Sequence, residues 1–157
     1  MTSFHKARWL ALLVPGALML GALGSQYVGG LFPCEMCHWQ RWPHDAAIVL
    51  ALFAFGLRSH PAKGAMVALA ALGIFISGAI GVFHAGVEYG WWEGLTTCAK
   101  TAGSGGGSVL ADIMAAPVIR CDQAQWTLAG ISLAGFNALI SIPAALVIWG
   151  LLRHKDA

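Results

Sequence analysis

Apolar residues in this chain run in long blocks and do not alternate with polar ones. Four blocks stand out, at about residues 9–28, 35–57, 64–83 (alternatively on to Tyr89) and 128–152. A helix needs about 20 apolar residues to cross the hydrocarbon core of a bilayer, so the pattern predicts four membrane-spanning helices. The second block is the least uniform. Its purely apolar part, 46–57, is too short alone, so the helix has to extend back through Trp39 and Trp42. Pro15 and Pro143 fall inside blocks, a placement that membrane helices tolerate. Gly73, Ser77 and Gly81 recur every fourth residue on the third block, which predicts a surface for close helix packing. Asn137 and Ser141 are expected to hydrogen-bond between helices.

Two loops remain on one side, at about 29–34 and 84–127. The second holds a glycine- and serine-rich tract at 103–108, expected to be flexible. After it, Ser108 is expected to cap a short helix with Val109, Leu110, Ile113 and Met114 on one face, stopped by Pro117. That helix suits either the membrane surface or an ordinary loop. A signal-peptide reading of the N-terminus, with Ala22-Leu23-Gly24 as the cleavage site, would leave three spans.

Composition narrows the class. Of 157 residues 58% are hydrophobic and only 10% charged, whereas soluble domains carry about 25% charged residues. The expectation is one all-α integral membrane domain over 1–157, a four-helix bundle. A net charge of +2 without a basic cluster gives nucleic acid no footing. Lys6, Arg8, Arg58, Lys63, Arg153 and Lys155 all fall at one membrane face if four helices cross. That face is the cytoplasm by the positive-inside rule, and both termini lie there. The two loops then face outward, into the periplasm of a Gram-negative host.

The cysteines change the picture most. Cys34 and Cys37 form a C-x-x-C before the second block, and Cys98 and Cys121 flank the glycine-rich tract. All four gather at the outward face, where exchanging thiols have a reason to meet. A helix N-terminus favours the thiolate, the species that attacks a disulfide. Arg41, four residues after Cys37, is placed to stabilise that thiolate or to hold a carbonyl group; the alternative is a snorkelling interfacial arginine. Cys98 and Cys121 read either as a mobile redox pair or as a structural disulfide. His84 reads as a hydrogen-bond donor to a quinone carbonyl or a proton relay, or as an interfacial histidine beside Tyr89, Trp91 and Trp92. His38 and His44 read as ordinary interior or interfacial residues. Cys34 to His38 also spells the haem-attachment pattern C-x-x-C-H, but it runs directly into a span and leaves Cys98 and Cys121 unexplained. The spacing of Cys98 and Cys121 is not that of a zinc knuckle.

The chain resembles the bacterial disulfide-bond formation protein B (DsbB) family. The resemblance rests on Pro33-Cys34-Glu35-Met36-Cys37-His38-Trp39-Gln40-Arg41, on His84-Ala85-Gly86-Val87-Glu88 followed by Trp91-Trp92, and on Cys121-Asp122-Gln123-Ala124-Gln125-Trp126. It implies a membrane thiol oxidase of the inner membrane. A reduced periplasmic thioredoxin-fold partner similar to DsbA would attack Cys98, and Cys121 would exchange with Cys34. Cys37 would remain as a thiolate beside a bound quinone, ubiquinone or menaquinone. Arg41 would hold the quinone and His84 would sit near its head group. Met36 departs from the usual leucine, and the glycine-rich stretch is this chain's own.

Overall fold

The computed structural model describes residues 2–94 and 120–154. Among them are four long helices, α1 Ser3–Tyr27, α2 Glu35–Gly56, α3 His60–Glu88 and α4 Leu133–Arg153. A short hairpin, β1 Thr127–Leu128 and β2 Ile131–Ser132, precedes α4. By length and composition α1, α3 and α4 can cross a membrane. Glu35, Gln40, Arg41, His44 and Asp45 in the first half of α2 dilute its apolar character. The expected helix at 108–117 and Cys98 lie outside the described residues.

The helices pack as a bundle in which α3 lies between α2 and α4, while α1 packs on both of those from the other side. The inside is built from small side chains. Ala7, Ala11, Ala47, Ala51, Ala54, Val67, Ala70, Ala71, Ile74, Ala145 and Ile148 form the larger buried cluster. Leu13, Leu20, Leu52, Phe53, Ile76, Leu139 and Leu146 are exposed. A soluble bundle would bury such residues, whereas lipid leaves them nothing to escape, and close backbone packing decides which residues face inward. The line Gly73, Ser77, Gly81 shows this directly. A Cβ on Gly73 would meet the Pro43 carbonyl oxygen of α2 at 2.9 Å, and one on Gly81 would meet the Ala134 carbonyl oxygen of α4 at 2.9 Å. Ser77, between them, is fully buried and donates to the Gln40 carbonyl at 2.8 Å.

Two expected boundaries need correcting. The fourth helix starts at Leu133, not Leu128. Ala129 (φ 51°) and Gly130 (φ 78°) both have positive φ, and Thr127 and Leu128 pair with Ser132 and Ile131. This two-residue turn matches the twist of a tight hairpin. The Tyr89 hydroxyl donates to Gly130 O at 2.9 Å and accepts from Ser132 N at 3.0 Å, holding the hairpin to the end of α3. Ser132 then caps α4 by accepting from Gly135 N at 3.2 Å. The other concerns residues 84–88: of the two expected ends of the third span, at about 83 with the loop from 84 or further on at Tyr89, the longer one holds, so His84 is a helical residue.

Candidate functional site

Cys34 is the N-cap of α2, with extended backbone angles (φ −78°, ψ 175°), and its Sγ accepts from the Cys37 N–H at 3.3 Å. The C-x-x-C spacing therefore closes on itself at the helix start. Cys34 and Cys37 are free thiols with sulfurs 2.9 Å apart. Sharing that contact with Cys37, together with burial, pushes the Cys34 thiol well above its ordinary value; the Cys37 N–H opposes the shift but does not reverse it. Cys34 keeps its proton at neutral pH.

Cys121 reaches the same place from the far end of the long loop. Cys34, Met36, Val87 and Cys121 form one buried cluster, with Cys37, Trp39 and Phe83 packed against it. A side chain fixes this approach. The Gln125 amide donates to Phe32 O at 2.6 Å and accepts from Phe32 N at 3.0 Å. It pairs with that backbone as a neighbouring strand would, joining the segment after Cys121 to the segment before Cys34.

His84, 2% exposed, stands beside the pair with Nε2 3.5 Å from Cys34 Sγ and 3.7 Å from Glu88 Oε1. Its ring also hydrogen-bonds the main chain of Cys121. On its other side Nδ1 accepts from Gln40 Nε2 at 2.7 Å. The ligand atoms of Cys34, Cys37 and His84 lie within 4.8 Å of one another, a set of the kind that binds soft metal ions.

Next to these thiols is a cavity of about 250 Å³. Its apolar wall includes Ala17, Leu18, Gly21, Phe136 and Leu133, and its polar groups include Cys37, Arg41, His44 and His84. Arg41 spans to α1, donating to Gln26 Oε1 at 2.7 Å and to Ala22 O at 3.2 Å. His38 is exposed and does not line the cavity, so the histidine of the haem-like pattern points elsewhere. A mostly apolar slot lined also by Cys34, Cys37, Arg41, His44, His84 and Glu88 suits a flat ring carrying polar oxygens.

Thus Cys34, Cys37, Cys121, Arg41 and His84 come to one site, and Cys98 lies outside the described residues. Sequence reasoning gave no individual role to Gln40 and missed the partners Gln26 and Gln125, and it took His44 for an ordinary residue. One signal was available: Met36, Gln40 and His44 are spaced four apart, on the same stripe as buried Ala47, Ala51 and Ala54. Polar residues on a buried membrane-helix stripe are seldom incidental.

No curated protein and no solved structure matches the chain. The family model described as "Disulfide bond formation protein DsbB" matches residues 5–151, nearly the whole length, and the chain belongs to that family of membrane oxidoreductases that form disulfide bonds.

Proposed function

We propose that this protein is a quinone-dependent thiol oxidase of the bacterial inner membrane, reoxidising a periplasmic DsbA-like thioredoxin-fold protein. In this reading α2 crosses the membrane with the other three helices, both termini are cytoplasmic, and the cysteine-bearing loops are periplasmic. The observation that supports it most is the gathering of Cys34, Cys37 and Cys121 beside an apolar cavity that Arg41 also lines.

The chemistry runs by thiol–disulfide exchange. A thiolate of the reduced partner attacks Cys98 of the Cys98–Cys121 disulfide, and Cys121 leaves as thiolate. The partner's second thiol attacks the mixed disulfide, which releases oxidised partner and leaves Cys98 and Cys121 reduced. Cys121 then attacks Cys34 of the Cys34–Cys37 disulfide, and Cys37 leaves. Cys98 closes on Cys121 and frees Cys34, so the dithiol has moved to Cys34 and Cys37. A bound quinone would supply the two-electron oxidant: the two electrons and two protons of that dithiol would leave in hydroquinone as the sulfurs of Cys34 and Cys37 join. Arg41, which lines the cavity beside Cys37, would hold a quinone oxygen. His84, with a proton on Nε2, is placed to exchange it with Cys34.

Anaerobic incubation with a reduced DsbA-like protein and excess quinone tests the reading. One hydroquinone per partner disulfide formed is expected. Hydroquinone formation that persists in a Cys98→Ser variant would contradict the assigned order of exchange.

A further inference from the structure

The buried polar groups between α2, α3 and α4 fix one another's orientation and leave two acceptor atoms without a partner among the described residues, His44 Nδ1 on α2 and Glu88 Oε2 at the end of α3. Asn137 Nδ2 lies 2.8 Å from Gln40 Oε1, 3.1 Å from the Ser77 carbonyl oxygen and 3.1 Å from Ser77 Oγ. The donor end of that amide therefore faces α2 and α3. Its Oδ1 faces the other way, where Ser141 Oγ donates at 2.8 Å and His44 Nε2 lies at 2.9 Å. An amide oxygen only accepts, so His44 Nε2 carries the proton. In the neutral ring Nδ1 is then a bare acceptor. His44 is 3% exposed, and its Nδ1 has no hydrogen-bond partner among the described residues. Buried acceptors are rarely left so. His44 lines the same cavity as Cys37 and Arg41.

Resting on the quinone reading above, we infer that His44 is a ligand-binding residue whose Nδ1 accepts a hydrogen bond from a hydroxyl group of the hydroquinone form. The oxygens of the quinone form are carbonyls and have no hydrogen to give. The neutral His44 ring therefore separates the two redox forms of the ligand in favour of the reduced one. Arg41, three residues earlier on α2, supplies the opposite chemistry, because a guanidinium only donates. The two side chains offer the cavity one acceptor and one donor. Neither the C-x-x-C nor the Arg41 spacing calls for a histidine at 44; its assignment comes from Asn137, 93 residues away in the chain.

The test uses full-length protein in detergent with Cys34→Ser and Cys37→Ser, so that no dithiol reacts with the ligands. Affinities for a decyl-tailed benzoquinone and for its hydroquinone are measured anaerobically by calorimetry, with native His44, with His44→Leu and with His44→Gln. His44→Leu should weaken hydroquinone binding about tenfold, as loss of one hydrogen bond implies, and leave quinone binding nearly unchanged. His44→Gln can still donate to Asn137 Oδ1 and present an oxygen acceptor, and should keep most of the hydroquinone preference. Equal weakening of both forms, or no change in either, would overturn the inference and leave the quinone reading standing. Failure of the native-His44 protein to bind either form would refute both.

Discussion

Cys34 holds its proton at the joint between loop and helix, and the cause is local. The contact with Cys37 and burial both favour the neutral thiol, and the single N–H of Cys37 is too little to offset them. The linkage to stability has a definite sign. Below the ordinary thiol value of 9.0, Cys34 is protonated in folded and unfolded chains alike, and the stabilisation is fully present. Above it the unfolded chain releases a proton that the folded chain retains, so stability falls as pH rises. Reduced protein should therefore lose thermal stability between about pH 8 and pH 10, and Cys34→Ser should flatten that slope; melting curves in detergent across this range decide it. Arg41 makes a residue-scale prediction too. Lysine keeps the charge but loses the fork that spans Gln26 and Ala22. Arg41→Lys should raise KM for quinone about tenfold, the order expected for a charge-assisted hydrogen bond, with a smaller effect on kcat in steady-state assays.

Helices and loops bring these residues together through a few close approaches. Gly81 lets α3 touch α4, since a Cβ there would sit 2.9 Å from Ala134 O and 3.2 Å from Ala138 N. Gly81→Ala should destabilise the bundle by about 1–3 kcal/mol, as overpacking does. Gly16→Ala, at a position with nothing within 4 Å, is the control in the same unfolding titration in mixed micelles. Gln125 does comparable work for the loop that brings in Cys121. Gln125→Ala removes both bonds to Phe32 and should slow exchange between Cys121 and Cys34 several-fold, read by trapping the mixed disulfide with acid quench. At this scale the sequence was legible where a pattern is continuous. The apolar blocks placed α1, α3 and α4, and the line from Gly73 to Gly81 identified the packing face of α3. The start of α4 was misplaced by five residues, because Leu128 and Ile131 carry hydrophobic character without carrying helix. Ala129 takes the positive φ of the turn, a conformation that its residue type does not announce.

Across the whole molecule, the site joins residues that sequence spacing keeps far apart. Cys34, Cys37, Arg41 and His84 were legible as candidates, because C-x-x-C, a cation one turn later and a histidine at the end of an apolar block are local signals. Asn137 was legible as an interhelical hydrogen-bonding residue, but its partner Gln40 and the bond of Gln40 to His84 were not, since 97 and 44 residues separate the partners, and Ser141 bonds within its own helix to Asn137. Only the packing of three helices reveals that the polar residues of one buried stripe answer those of another. The resulting arrangement sets thiols and their histidine partner at one end of the bundle, with an apolar cavity beside them and a separate small-residue core. In the proposed reading electrons leave through Cys37 into that cavity. The most direct test is anaerobic quinone reduction by the full chain, driven by a reduced DsbA-like protein, with Cys37→Ser alongside. The account predicts hydroquinone in proportion to the partner disulfide formed, and none from the variant. Hydroquinone formed equally by Cys37→Ser, or none formed by the unaltered chain while the partner and quinone are competent, would contradict it.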